Sequence, residues 1–312
     1  MRPVWLNKKI NLKSCGAIKS MLRELRLGTV CEEALCPNIG ECFSKGNATF
    51  LILGNNCTRL CSFCAVRRGV PEPVDPDEPL RIARGVMKLA LAHVVITSVT
   101  RDDLPDGGAG HFVETVKAIR RLNPVIARPN EVRTKQSDRL LRRPEIGSSP
   151  LVMTNSANEI TVELLIPDFN FDKAALRAVI DSGPDIIAHN IETVPRLYKE
   201  ARQGADYKRS LAVLRYIKEH SPSIPVKSGI MLGLGESEGE VLATLEDIVN
   251  TGCGFLSIGQ YLAPSREHFP VKEYLRPERF TYYKDKALSL GFKHVESGSY
   301  VRSSYHASDY IS

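Results

Sequence analysis

Thr49-Phe50-Leu51-Ile52-Leu53-Gly54-Asn55-Asn56 runs straight into Cys57-Thr58-Arg59-Leu60-Cys61-Ser62-Phe63-Cys64. An apolar β-type run ends in a turn, and three cysteines spaced C-x3-C-x2-C follow at its carboxyl end. Barrel enzymes of alternating strands and helices place their active sites at that end of a strand. One short loop can meet three irons of an iron–sulfur cube and leave the fourth iron open for chemistry. A structural zinc site wants four ligands, usually as two C-x2-C pairs, so a zinc knuckle suits this spacing poorly. A second triplet, Cys31, Cys36 and Cys42, precedes the first with the wider spacing C-x4-C-x5-C. Each triplet is one ligand short of closing a cluster.

The same alternation continues along the chain. Strands are expected at Thr49–Leu53, His93–Thr97, Ile160–Ile166, Asp185–Ala188, Val226–Leu232 and Phe255–Gly259, with helical patterns between them. Ser237-Glu238-Gly239-Glu240 is a capping box opening a helix that stops near Gly252. Asp172 caps a helix ending before Gly183, and Pro277 starts one ending before Gly291. Six such units are too few for a closed eightfold barrel, so the fold class is α/β, a partial (β/α)6 TIM-type barrel with N- and C-terminal extensions. The organisation reads as an extension over 1–46, a barrel over 47–291 and a tail over 292–312 that packs back on it. The extension carries one helix, Ala17–Leu27, with Gly28 as its stop, and then the Cys31 triplet. Periodicity vanishes over Val125–Asn158. A structureless stretch of this length inside a compact domain reads either as a surface insertion or as non-coding sequence carried into a gene model.

Composition narrows the setting. The chain has 312 residues, 43% of them hydrophobic, and a net charge of +6. That charge suits an acidic macromolecular partner without requiring nucleic acid. Eight cysteines in a chain this large, six of them clustered, point to metal ligands rather than the disulfide framework of a small secreted domain. Met1–Lys9 shows no signal-peptide pattern, and no apolar run approaches the roughly 18 residues of a membrane span. The expectation is a reducing, cytoplasmic location with no membrane partner.

Phe63 before the last cysteine of C-x3-C-x2-C resembles the signature of the radical S-adenosylmethionine superfamily. Cys31-Glu32-Glu33-Ala34-Leu35-Cys36-Pro37-Asn38-Ile39-Gly40-Glu41-Cys42, Thr100-Arg101-Asp102-Asp103-Leu104-Pro105-Asp106-Gly107-Gly108, Gly204-Ala205-Asp206-Tyr207 and Arg302-Ser303-Ser304-Tyr305-His306-Ala307 narrow the resemblance to the lipoyl synthase family, over nearly the whole chain. Val125–Asn158 departs from the family pattern but falls between its motifs.

The resemblance implies two [4Fe-4S] clusters and S-adenosylmethionine. Cys57, Cys61 and Cys64 would hold the cluster that binds and cleaves it, producing a 5′-deoxyadenosyl radical that removes hydrogen from C6 and C8 of a lysine-linked octanoyl chain. Cys31, Cys36, Cys42 and Ser304 would hold an auxiliary cluster that supplies the inserted sulfur. Ser303 is the neighbouring competitor for that last place, and only the resemblance favours Ser304. The implied partners are an octanoylated lipoyl carrier domain or glycine cleavage H protein, an electron donor such as ferredoxin or flavodoxin, and an iron–sulfur carrier for cluster repair.

Further candidates lie past the strand ends. Gly229-Ile230-Met231-Leu232-Gly233-Leu234-Gly235-Glu236 matches the adenine-side motif G-x-I-x-G-x-x-E with Met231 in place of isoleucine. Asn190 and Glu192 are placed for ribose hydroxyls, and Thr97, Ser98 and Thr100 for the methionine end. Lys199, Arg202, Lys208 and Arg209 read as a solvated helix face, with docking of an acidic carrier as the alternative. Cys253 reads as a small core residue and His189 as structural. The rival readings are a sulfur-insertion enzyme resembling biotin synthase, which lacks the Cys31 triplet and the Ser304 tail, and a non-catalytic iron–sulfur electron-transfer protein, which would need a fourth cysteine per cluster.

Overall fold

The computed structural model describes residues 3–7, 16–33, 36–44, 47–123 and 160–305. Cys15, Val125–Asn158, His306 and Ala307 lie outside them. In chain order come α1 (Gly16–Glu24), β1 (Gly28–Thr29), α2 (Val30–Glu33), α3 (Ile39–Ser44), β2 (Asn47–Ile52), β3 (Asn56–Cys57), β4 (Arg67–Arg68), α4 (Glu78–Lys88), β5 (His93–Ser98) and α5 (Ala109–Leu122). After them come β6 (Thr161–Leu165), α6 (Lys173–Asp181), β7 (Ile186–Ala188), α7 (Tyr198–Ala201), α8 (Tyr207–His220), β8 (Val226–Leu232), α9 (Glu238–Val249), β9 (Phe255–Gln260), α10 (Pro277–Leu290) and β10 (His294–Gly298).

The main sheet has the order β1-β2-β5-β6-β7-β8-β9-β10 and is open. β1 pairs antiparallel with β2, and every other neighbouring pair is parallel. All six expected strands are present, and so are the caps. Ser237 and Glu240 close the capping box, and Asp172 accepts from the backbone of Ala174 and Ala175. A helix cap of this kind stabilises by about 1 kcal/mol.

Two expectations need correction. The segment after Gly291 is more than a tail, because β10 pairs in register with Phe255–Gly259 and adds a seventh parallel strand. Its sequence, His294-Val295-Glu296-Ser297-Gly298, carries one apolar residue, so no alternation announces it. An edge strand needs little apolar content because only part of it is buried. The first helix stops at Glu24 rather than Leu27. Arg26 adopts φ 51°, and Leu27 N–H bonds Leu22 O at 2.9 Å, which ends the helix before Gly28 opens β1.

Strand side chains alternate between two faces. Val94, Ile96, Val162 and Leu164 join the main apolar core with Ile82 and Val86 of α4 and Phe112, Val116 and Ile119 of α5. The other face lines the barrel interior and is unusually polar. His93, Val95 and Thr97 share it on β5, with Glu163 on β6 and Lys227 and Gly229 on β8. Lys227 Nζ donates to Glu163 Oε1 at 3.0 Å across that interior. Burial alone would raise the Glu163 carboxyl, but the charge of Lys227 and the His93 contact hold it below the usual range. Breaking a buried pair of this kind costs roughly 3–5 kcal/mol.

Candidate functional site

The Cys57 loop is held at the carboxyl end of β2. Thr58 donates its N–H and its hydroxyl to Thr100 O, at 3.1 and 3.0 Å. The backbone N–H groups of Arg59 and Thr100 both point at Cys57 Sγ, at 3.5 and 3.3 Å. Such bonds stabilise a thiolate. Further along, Ser62 N–H donates to Ala201 O at 2.9 Å, Phe269 N–H donates to Ser62 O at 2.8 Å, and the His268 ring meets Cys64 O at 3.2 Å. Burial raises the Cys61 thiol and pushes Cys64 up to about 12. A metal held by these thiols would displace their protons, so its loading would be favoured as pH rises.

Arg59, between the first two cysteines, is 7% exposed. Its Nε and one NH2 group form a fork on Asp102, at 2.9 and 3.0 Å, and that NH2 group also reaches Asp168 Oδ1 at 2.6 Å. Burial would raise the Asp168 carboxyl, but the hydrogen bond and charge of Arg59 hold it well below the usual range. Arg209 Nε binds the other oxygen of Asp168 at 2.8 Å. The loop is thereby riveted to the Thr100–Asp103 segment and to the end of β6. We expect Arg59→Met to lose more than about half of the iron at this loop in a chelator challenge, since a buried bidentate pair is broken. Iron retention equal to the parent protein, followed by absorbance, would show that the backbone bonds alone suffice.

Of the remaining candidates, Asn190, Glu192 and the Gly229–Glu236 motif gather around β7 and β8, while Thr97 and Ser98 end β5. Glu192 N–H donates to Gly229 O at 2.9 Å, and Met231 N–H to Glu192 O at 2.8 Å, so the segment after β7 is stitched to the motif strand. Asn190 Nδ2 bonds Glu192 Oε1 at 3.0 Å, and its buried Oδ1 has no partner among the described residues. A Cβ at Gly229 would sit 2.7 Å from Ser257 Oγ and 2.9 Å from Asn190 Oδ1, so only glycine leaves this cradle open. Gly233 turns at φ 101°, where a side chain is strained. Both Glu236 oxygens are taken by the N–H groups of Gly233 and Leu234, so Glu236 holds the turn rather than reaching outward. Burial raises the Glu192 carboxyl. Thr97 donates to Leu165 O at 2.8 Å, while Ser98 Oγ is buried without a partner among the described residues.

The Cys31 triplet lies at the opposite, amino end of the same strands. Cys31, Cys36, Cys42 and Ser304 line one cavity with Asn38, Thr49, His93 and Arg302. Burial pushes the Cys31 thiol up to about 12. Among the described residues, no three Cys, His, Asp or Glu side chains converge closely enough for one metal ion. Thiols arranged around a cavity fit a group with several metal atoms better than a point charge. The C-terminal segment is clamped here: Asn38 Nδ2 donates to Tyr300 O at 2.6 Å and Tyr305 OH to Glu41 at 3.1 Å. Ser303 turns the other way and accepts from Asn190 Nδ2 at 2.6 Å.

Several side chains depart from their sequence reading or were missed by it. Arg202 is 9% exposed and bonds Ile191 O, Tyr198 OH and Ser210 Oγ, so it belongs to neither a solvated face nor a docking face. Arg209 serves Asp168. Arg59, Asp102 and Asp168 went unread because their meeting depends on tertiary structure. His93, Glu163 and Lys227 did leave a signal, a polar or charged residue inside each of three apolar strands. Cys253 is buried as expected. His189 is also buried; its ring Nδ1 meets Ile166 O at 2.9 Å, and burial lowers it to about 4.

Residues 51–248 match the family model described as the radical SAM superfamily. The chain is 55% identical over 309 residues to a lipoyl synthase of Geobacter sulfurreducens, covering 99% of this chain and 90% of that protein. It is 46% identical over 306 residues to a lipoyl synthase of Caldanaerobacter subterraneus, covering 98% and 95%. Among solved structures, methylornithine synthase superposes with a TM-score of 0.51 at 13% identity, covering 89% of this chain and 81% of that one. Streptococcus suis SuiB bound to its precursor peptide gives 0.56 at 11% identity, covering 96% and 57%. At such identities the structural likeness speaks for the fold.

Proposed function

Because the chain belongs to the lipoyl synthase family of the radical SAM superfamily, we propose that its two cysteine sets hold two separate [4Fe-4S] clusters with divided tasks. The enzyme is a sulfurtransferase that inserts sulfur at C6 and C8 of an octanoyl group on a carrier protein. Its fold family uses a [4Fe-4S] cluster and S-adenosylmethionine, which when bound supply the hydrogen-abstracting radical that unactivated carbons require.

Cys57, Cys61 and Cys64 would hold the cluster that cleaves S-adenosylmethionine, with Arg59 fixing their loop. Thr97, Ser98 and Thr100 would meet the methionine end of that cofactor, and Asn190 and Glu192 its ribose. Gly229, Met231 and Gly233 would leave room for the adenine, with Glu236 holding their turn. Cys31, Cys36, Cys42 and Ser304 would hold the auxiliary, sulfur-supplying cluster. A serine oxygen among thiolates is a weak, displaceable ligand, which suits a cluster that must open. The preferred acceptor would be an octanoylated lipoyl domain or H protein, with ferredoxin or flavodoxin as donor, an iron–sulfur carrier for repair, and the cytoplasm as the setting. No described helix is long and apolar enough to cross a membrane.

The observation that carries this reading is the cavity shared by Cys31, Cys36, Cys42 and Ser304. The discriminating experiment compares Ser304→Ala with Ser303→Ala after anaerobic reconstitution. Wild type should carry about eight irons per chain. Ser304→Ala should still produce 5′-deoxyadenosine but lose lipoyl product, and its auxiliary cluster should be stripped faster by chelator. Ser303→Ala should keep its auxiliary iron. The reverse pattern would assign the ligand to Ser303 and overturn the reading of the cavity.

A further inference from the structure

One buried array takes no part in the chemistry described so far. Lys227, Glu163 and His93 are 1%, 0% and 3% exposed, on β8, β6 and β5. Charged groups in an interior persist only when paired, and Lys227 with Glu163 already forms a pair. His93 adds its Nε2 to Glu163 Oε2 at 3.3 Å. Its other ring nitrogen, Nδ1, is buried with no partner among the described residues. Native interiors rarely leave such an atom unpaired. His93 also lines the cavity of Cys31, Cys36, Cys42 and Ser304. Arg302, the cationic side chain beside it, donates to Val301 O at 2.7 Å and Gln260 O at 3.3 Å.

The strand explains the placement. Successive side chains alternate, so His93, Val95 and Thr97 share the inner face of β5. Thr97 ends that row near the Cys57 loop, and His93 begins it at the other cysteine set. Hydrogen bonds to the sulfurs of an iron–sulfur cluster tune its reduction potential, and neighbouring groups that orient its ligands matter nearly as much as the ligands.

We propose that His93 is a positioning residue for the auxiliary cluster, donating an Nδ1–H hydrogen bond to a cluster sulfur while the Glu163–Lys227 pair fixes its ring through Nε2. This rests on the reading of the cavity as an auxiliary-cluster site. Both ring nitrogens then donate to acceptors, an arrangement open to the doubly protonated ring, and the otherwise unpaired nitrogen is satisfied. The pair acts as a strut: it holds the ring against the cavity without touching what fills it.

The test uses full-length protein carrying Cys57→Ala, Cys61→Ala and Cys64→Ala, reconstituted with ferrous iron and sulfide, so that only the auxiliary cluster is observed. Four variants are built on this parent: His93→Asn, His93→Gln, His93→Phe and Glu163→Gln. Asparagine places an amide N–H near the position of Nδ1, and glutamine near that of Nε2. The readouts are the midpoint potential, the electron paramagnetic resonance of the reduced cluster, and bound iron after chelator challenge. His93→Phe and His93→Gln should shift the potential to more negative values with altered g-values. His93→Asn should stay nearest the parent, and Glu163→Gln should broaden the signal as the ring loosens. If His93→Phe does not fold, the Asn and Gln pair decides the matter alone. Parent-like potential and signal in all the His93 variants that fold, or rescue by Gln and not Asn, would overturn the proposal. A triple-alanine parent that binds no iron would overturn the auxiliary-cluster reading, and this inference with it. A parent with about four irons whose potential is indifferent to His93 would overturn this inference alone.

Discussion

Replacing Cys57, Cys61 and Cys64 together with alanine is expected to leave about half of the iron and to abolish cleavage of S-adenosylmethionine. The two cysteine sets share no ligand and lie at opposite ends of β2 and β5. Six residues of strand at about 3.3 Å each put roughly 15–20 Å between them. Clusters that far apart load independently unless one triplet organises the other, and the contacts holding each are distinct. Thr100, Ala201 and Phe269 brace the Cys57 loop, while Tyr300 and Tyr305 contacts brace the Cys31 cavity. The measurement is iron and sulfide per chain, with 5′-deoxyadenosine as the readout of cleavage. Loss of all iron would mean the triplets form one site, and one zinc per wild-type chain would mean the site is not iron–sulfur at all.

The converse variant should separate radical generation from sulfur transfer. With Cys31, Cys36 and Cys42 changed to alanine, lipoyl product should fall to background. Formation of 5′-deoxyadenosine should stay within about an order of magnitude of wild type, because a residue that acts in one step leaves the others nearly intact. Thr97, proposed to meet S-adenosylmethionine, ends β5 while His93 of the Cys31 cavity begins it, and Asn190 reaches the C-terminal segment through Ser303 rather than Ser304. Product formed by such a variant would remove the auxiliary cluster as the sulfur source. Complete loss of cleavage in a chain that still folds, judged by circular dichroism, would show that the two sites act as one.

Much of the scaffold was legible because its signals are local. Ser237 with Glu240, Asp172 ahead of α6, and Pro277 with Gly291 around α10 each announce a boundary within a few residues. The six apolar runs announce strands by composition. β10 was invisible because an edge strand with Val295 as its one buried apolar residue looks like loop. The cysteine triplets stood out as candidate metal ligands by spacing alone, whereas nothing local separated Ser303 from Ser304. Neighbours in sequence differ by one step of backbone direction, and only the fold turns Ser303 to Asn190 and Ser304 to the cavity. The Arg59 rivet was hidden for a different reason. Arg59, Asp102 and Asp168 are ordinary surface residue types, and their value arises only when three loops converge.

The clamp between Asn38 or Glu41 and the segment around Tyr300 and Tyr305 has a consequence for biogenesis. Tyr305 and Glu41 are separated by 264 positions in the chain. A ribosome therefore finishes the Cys57 loop and its braces, the last of them at Phe269, before it makes the residues that close the Cys31 cavity. Nascent protein passes through a stage in which the Cys57 loop has its braces while the Cys31 cavity still lacks Ser304 and the Tyr305–Glu41 bond. A chain cut just before Tyr300 would lose Ser303, the partner of Asn190, together with Ser304 of the cavity, so both sets of candidate residues would lose a contact. Closure of the Cys31 cavity thus waits on residues 300–305, made after every brace of the Cys57 loop.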